Sequence, residues 1–251
     1  MPADGQGRDH SPAVASTPLP GLGERIVVVS PHLDDGVLSL GAAMHAWASA
    51  GARVELLTPL GCDPCSDAPA GGWDARGGFA TEGEAARRRR EEDAEACALL
   101  GVTPAWLRFG SVDYERHGED EEVAEAVGEA VSGADRVLLP GFPLTHPDHA
   151  WLVRLLLARA PMLGRRLSLY AEQPYASRSD ATPSIPGWAA ASVGGPAPFL
   201  PLRRRPGHVL AKWRAIRRYR SQIPLLALDE VGRGTFVLAF AAERVADVRI
   251  D

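Results

Sequence analysis

Two short segments concentrate the residues that could do chemistry. His32, Asp34 and Asp35 place an imidazole and two carboxylates within four positions, and His146, Asp148 and His149 place two imidazoles and a carboxylate within four more. A catalytic zinc site takes three protein ligands, nitrogen or oxygen, at roughly 2.0–2.2 Å and keeps one position open. His32, Asp35 and His149 meet that count. Asp34 and His146 are then left to move protons, which amide hydrolysis requires once a metal has prepared the nucleophile. Each segment alone has a plainer reading, because an Asp pair after a strand often caps a helix and Pro147-Asp148 is a common helix start. At two strand ends of one sheet, the pair of segments is a stronger signal than either alone.

The elements around them provide such ends. Arg25 to Ser30 (RIVVVS) is a β-branched run of the kind buried on both faces of a parallel sheet, and PHLDDG follows it directly. Val37 to Ala50 carries apolar residues at helical spacing and stops at Gly51; Val54 to Pro59 then reads as a second strand, completing a βαβ unit. Cys62 to Thr81 is a long Gly, Pro and Asp-rich loop, fit for a rim or lid. Further along, Glu82 to Leu100 reads as a helix, Ala105 to Phe109 as a strand, Asp120 to Val131 as an acidic helix, and Arg136 to Pro140 as a buried strand leading into GFPLTHPDHA. Trp151 to Ala160 is expected to be helical, Leu167 to Ala171 a strand, Thr182 to Pro206 irregular, Val209 to Arg220 helical and Gly234 to Ala239 a late strand. This alternation predicts a single α/β domain with a Rossmann-like, largely parallel sheet flanked by helices, whose sites form beyond the carboxyl ends of the strands.

With 251 residues, 45% of them hydrophobic, the chain can bury a core of its own. Residues 1–24 are rich in Gly, Pro, Ala and Ser and are expected to be a flexible tail, leaving residues 25–251 as the domain. The tail has no apolar run of the kind a secretory signal or membrane span needs, and three cysteines are too few for a disulfide scaffold; both suit a cytoplasmic protein. A net charge of −5 gives no general pull toward nucleic acid. Cys62 and Cys65 have the spacing of half a zinc knuckle, but no second pair completes it.

The segments VVVSPHLDDGVLSLGA and THPDH together resemble the signature of the LmbE-like (PIG-L) de-N-acetylases. RRRREEDAEACALLGV (Arg87 to Val102), LRFGSVDYER and KWRAIRRYRSQ (Lys212 to Gln222) resemble further segments of that family in the same order, so the likeness runs from Arg25 to Gln222. It implies zinc on His32, Asp35 and His149, Asp34 as general base, and His146 as the group that stabilises or protonates the tetrahedral intermediate. Counting ligands allows these roles without selecting them. Fe²⁺ suits the same ligands. The resemblance also implies a substrate-facing Asp113, and Arg89 is a candidate to orient a substrate hydroxyl or diphosphate through an ion pair with Glu91 or Glu92. The sequence departs from the family in having Leu33 between His32 and Asp34, where Pro is commoner, and Leu144 where some members carry a carbonyl-polarising tyrosine. The expected reaction is removal of an N-acetyl or other N-acyl group from an amino sugar in a small molecule, glycoconjugate or natural-product intermediate. The rival enzyme reading is an amidase for a larger acyl group or a thiol conjugate of an aminoglycoside. A nucleotide-binding protein is disfavoured, since PHLDDG stands where a Gly-rich phosphate loop belongs.

Overall fold

A computed structural model describes residues 21–114, 119–163, 166–192, 195, 197–202, 205–226 and 242–248. Most of the expected tail and the expected strand Gly234 to Ala239 lie outside the described residues.

The run Ile26 to Val29 forms the centre of strand β1 (Arg25–Val29), each of the four at most 1% exposed. Alternate residues serve opposite faces, as a strand's two-residue period requires. Val27 and Val29 join a core with residues of α4 (Asp120–Val131) and α5 (Pro147–Leu157), whereas Ile26 and Val28 join another with residues of α1 (Asp35–Ser49), α3 (Glu82–Leu100) and α7 (Pro206–Ile216). Burying each such side chain contributes about 1.5–3 kcal/mol. The result is three layers, helices on both sides of one sheet.

Strands β2 (Arg53–Thr58), β3 (Thr103–Trp106), β4 (Arg136–Phe142) and β5 (Leu167–Ala171) continue the parallel sheet, and β6 (Leu200–Pro201) and β7 (Arg244–Val248) add an antiparallel edge. The order is β3-β2-β1-β4-β5-β7-β6. The chain therefore runs outward in one direction from β1 and in the other from β4, so the adjacent strands β1 and β4 flank the point where strand order reverses. Crevices at such points are where open α/β sheets bind ligands.

Several boundaries differ from the sequence reading, each for a local reason. The helix expected from Trp151 starts at Pro147, and the one expected from Val209 starts at Pro206; proline's fixed φ suits the first helical turn. Strand β3 starts at Thr103, two residues early, because it pairs with β2 from Glu55 onward. The loop Cys62 to Thr81 holds a short helix, α2 (Gly72–Arg76), and Thr182 to Pro206 holds another, α6 (Gly187–Ala190).

Helix α1 is kinked at Leu40 (φ −129°, ψ 15°). Both oxygens of the buried Glu243 carboxylate occupy the kink, accepting from the backbone N–H groups of Ala42 (2.8 Å) and Ala43 (2.9 Å), and Lys212 Nζ lies 2.9 Å from the same carboxylate. Side-chain acceptors thus satisfy N–H groups that the broken ladder would strand. A side chain at Gly41 would meet Lys212 Cγ at 2.8 Å, so the kink needs glycine there.

Candidate metal centre

The turn after β1 is built around Ser30. Its hydroxyl donates to the His32 carbonyl (2.6 Å) and accepts from the Gly36 N–H (2.8 Å), folding PHLDDG back on itself. A β-carbon at Gly36 would meet Leu56 Cδ1 at 2.4 Å. Asp34 takes φ 154° and ψ −34°, a conformation that residues with a β-carbon rarely adopt. Although Asp34 stands at the cap position of α1, its side chain makes no capping hydrogen bond. The plainer reading of the Asp pair is thereby removed. In the second segment the cap is a histidine: His146 Nδ1 accepts from the Asp148 N–H at 3.2 Å, with Pro147 opening α5.

Because β1 and β4 are neighbours, the two turns meet. His32 Nδ1 lies 3.2 Å from His149 Nε2, His149 Nε2 lies 3.1 Å from Asp35 Oδ2, and Asp35 Oδ2 lies 3.3 Å from His32 Nδ1. Ligands bound tetrahedrally at zinc's usual distances stand about 3.3 Å apart, so these three atoms already have the spacing of one face of a zinc site. His146 also approaches: nitrogens of His32, His146 and His149 all lie within 4.8 Å of one another.

Carboxylates grip the far sides of both ligand-type rings. His32 Nε2 is 3.1 Å from Asp148 Oδ2, which also accepts from the Val112 N–H, and His149 Nδ1 is hydrogen-bonded to Glu172 Oε1. A carboxylate behind each imidazole fixes its orientation and raises its basicity. Glu172, just past β5, went unassigned in the sequence reading, as did Asp148; the placement of EQPY beyond a strand's carboxyl end was the available signal.

The electrostatics suit a cation. Burial opposes protonation of His149, but Asp35 and Glu172 outweigh it and hold its pKa well above the ordinary value; His32 is likewise raised against burial by Asp148 and Asp35. Burial also opposes ionisation of Asp35, yet the two imidazoles keep it well below the carboxylate range. A pocket that retains protons this strongly offers the same field to a dication. Asp34 behaves oppositely. Burial, reinforced by Asp35, raises it to about 7, against the lowering influence of Arg89 and His32. Burial and the flanking imidazoles lower His146 to about 4, which favours the neutral ring near pH 7.

His32, Asp34, Asp35 and His146 line a cavity of about 400 Å³ that also takes in Tyr175, Trp73 and both candidate substrate residues. Asp113 lies in a 3₁₀ turn (Val112–Tyr114) and accepts from the Trp73 N–H at 3.1 Å, so it also holds the loop wall. Arg89 is almost buried, and its partner is Asp74 in α2 (3.3 Å); Arg88 takes Glu91 and Glu92 instead, correcting the expected pairing. Cys62 and Cys65 are free thiols, one buried and one exposed.

A search of curated proteins returns no match. Among solved structures, a triple mutant of a deacetylase from the teicoplanin biosynthetic pathway is 26% identical, with a TM-score of 0.72 over 89% of this chain and 97% of that one. The A40926 pseudoaglycone deacetylase is 22% identical, with a TM-score of 0.71 over 89% and 96%. The 4-carboxy-2-hydroxymuconate hydratase of Pseudomonas putida, 17% identical with a TM-score of 0.53 over 89% and 95%, shares the fold while carrying the name of another reaction. Fold alone therefore does not choose the chemistry. The PIG-L family profile, described as GlcNAc-PI de-N-acetylase, matches residues 27–160, which span both turns of the candidate centre and more than half of the 251 residues. By that match and by the residues it covers, the chain belongs to the PIG-L de-N-acetylase family.

Proposed function

We propose that the chain is a zinc-dependent N-deacetylase that hydrolyses the N-acetyl or a related N-acyl group of an amino sugar in a small molecule or glycoconjugate. The observation that carries this reading is the triangle of Asp35 Oδ2, His32 Nδ1 and His149 Nε2, with edges of 3.1–3.3 Å, beside the Asp34 carboxylate, which makes no capping bond. The glycopeptide deacetylases with the same fold support an N-acylated amino sugar as the substrate class.

His32, Asp35 and His149 would hold the metal, which when bound polarises the amide carbonyl and lowers the pKa of water to the neutral range. Asp34, buried and raised to about 7, is matched to take a proton from the attacking water near neutral pH. The same raised pKa lets it return that proton to the leaving nitrogen. His146 has Nδ1 occupied as an acceptor, which leaves the proton of the neutral ring on Nε2, free to donate to the developing oxyanion. Arg89, fixed by Asp74, keeps positive charge close to Asp34 and limits how far its pKa rises.

Residues 25–251 are proposed to form one domain, supported by a single sheet that runs from Arg25 to Val248. No helix among the described residues is long and apolar enough to cross a membrane. The free cysteines support a cytoplasmic setting.

Metal analysis of the purified protein, coupled to an acetate-release screen over N-acetylglucosaminides and longer N-acyl analogues, tests the reading. Stoichiometric zinc and acetate release are expected. A protein that neither binds zinc nor hydrolyses any of these amides does not have this function.

A further inference from the structure

We infer that Gln222 is a positioning residue for substrate binding: it holds the Trp73 indole in the cavity wall, and the C–H face of the substrate's sugar ring packs against that indole. The inference rests on the deacetylase reading for the identity of the sugar, whereas the link from Gln222 to Trp73 is a property of this chain's own contacts.

Trp73 stands in α2, a helix of five residues with no side-chain bond at its N-cap. So short a helix does not hold itself together in water, and its side chains keep their places only through tertiary contacts. Its backbone is pinned where the Trp73 N–H donates to Asp113 Oδ2 at 3.1 Å, and the next side chain where Asp74 accepts from the Tyr114 hydroxyl at 2.6 Å. The indole's single donor goes to Gln222, which is 1% exposed and whose Oε1 accepts from Trp73 Nε1 at 2.8 Å. Gln222 cannot serve it the other way round. An indole N–H only donates, so the amide must present its oxygen to Trp73. Its Nε2 then donates to Ser221 Oγ at 3.0 Å, and the Ser221 hydroxyl donates to Glu92 Oε2 at 2.7 Å. The buried Glu92 also accepts from the Ser221 N–H at 3.1 Å, and Arg88 Nε lies 3.3 Å from its Oε1. The links from Trp73 through Gln222 and Ser221 to Glu92 thus run in one direction and end on a carboxylate, the stronger kind of acceptor. They tie the loop wall to α3 through the turn that follows α7. Glu92, Ser221 and Gln222 have no other part in the proposed reaction.

Trp73, Val112, Tyr175 and Leu226 give apolar surface to a cavity that also holds Asp34, Asp35 and two imidazoles. A pyranose ring has the matching halves, C–H groups on its faces and hydroxyls around its edge. An aromatic ring beside carboxylates therefore suits a sugar better than either would alone. An indole free to turn would have to be ordered by each ligand that binds, and that ordering weakens affinity. Fixed beforehand through Gln222, the ring meets the sugar already in place.

The test measures acetate release from methyl N-acetylglucosaminide by the zinc-loaded enzyme. Gln222→Met keeps the length of the side chain and removes both of its hydrogen bonds. KM should rise about three- to tenfold, the scale of one neutral hydrogen bond, with a smaller change in kcat and the zinc content unchanged. Trp73→Phe keeps an aromatic ring without the N–H, so Gln222 has nothing left to hold. Adding Gln222→Met to that variant should change KM less than about twofold, the non-additivity expected of two residues that act as one. An unchanged KM in Gln222→Met overturns the inference, as does a loss confined to kcat. An equal rise of KM in both backgrounds also overturns it, by making Gln222 a direct substrate contact. If the wild type releases no acetate, the deacetylase reading fails separately, and calorimetric binding of the same sugar to the same four proteins decides. Binding weakened by Gln222→Met in the wild-type background but not in the Trp73→Phe background supports the inference. Equal binding by wild type and Gln222→Met, or none by any of the four, overturns it.

Discussion

Glu172 hydrogen-bonds to Nδ1 of His149 and thereby turns the opposite nitrogen, Nε2, to within 3.1 Å of Asp35. The other Glu172 oxygen accepts from the Leu144 N–H at 3.0 Å, so the carboxylate is fixed to the turn after β4 as well as to the ring. A residue outside the triangle of Asp35, His32 and His149 therefore orients one of its members. Glu172→Gln keeps the shape but removes the charge that raises the basicity of His149. Zinc affinity, measured by competition with a chelator, should fall about 10–100-fold, the usual effect of losing such a partner. Acetate release at saturating zinc should recover most of the wild-type rate. Unchanged affinity would show that Glu172 plays no part in metal binding.

His149→Ala and Asp34→Ala should separate the two halves of the centre. The first removes a ligand and should deplete zinc from the purified protein. The second should retain zinc while lowering kcat by about a hundredfold or more, the scale of a general base. Stoichiometric zinc in His149→Ala with wild-type affinity would sink the ligand assignment, and full turnover in Asp34→Ala would remove Asp34 from proton transfer.

Asp34 also carries a conformational cost. It combines φ 154° with a buried carboxylate whose pKa is raised to about 7 by burial and by Asp35. Strain of this sort costs about 1–3 kcal/mol, against about 0.5–1 kcal/mol of extra unfolded-state entropy for a glycine. Asp34→Gly should therefore be inactive yet more stable than the wild type, by about 1 kcal/mol or a few degrees in Tm. A lower Tm in calorimetry would mean the backbone there is not strained.

The candidate metal ligands were legible because the polar segments that carry them follow β1 and β4, which could be read as strands from their apolar runs alone. Which strands are neighbours is not written locally. Glu172 and Tyr175 could be assigned only once β5 stands beside β4, and Trp73 only once a five-residue helix forms inside a loop whose composition signals irregular chain. Arg89 was found through its helix, but its partner was mistaken, since Glu91 and Glu92 are near in sequence and Asp74 is near in space. The lowered pKa of His146 was not legible for a related reason: it follows from burial and two other imidazoles, which come together only in the fold.

The charge of Arg89 should be visible in the pH profile. A positive neighbour favours the carboxylate form of Asp34, so Arg89 lowers a pKa that burial and Asp35 raise. Removing that charge lets the pKa rise, leaves less Asp34 ionised at a given pH, and moves the acid limb of kcat/KM to higher pH. The variant should be Arg89→Met combined with Asp74→Asn, because Asp74 is buried and would otherwise lose its partner. A loss of rate with the acid limb unmoved would assign Arg89 to substrate contact alone.

The kink in α1 ties the stability of the site to the far end of the chain. Glu243 serves Ala42, Ala43 and Lys212 at once, all in the buried interior, and the first turn of the same helix presents Asp35 to the metal triangle. Glu243→Ala strips two backbone N–H groups of their acceptor and Lys212 of a carboxylate 2.9 Å away. The expected loss is about 3–5 kcal/mol, as for breaking a buried ion pair, read from denaturant unfolding. Glu243→Gln keeps an acceptor for one of the two N–H groups, and with Lys212→Met it also removes the buried charge; this double variant should recover part of the stability. If Glu243→Ala costs less than about 1 kcal/mol, the kink is held by the packing of α1 against α3 and α7 rather than by the carboxylate.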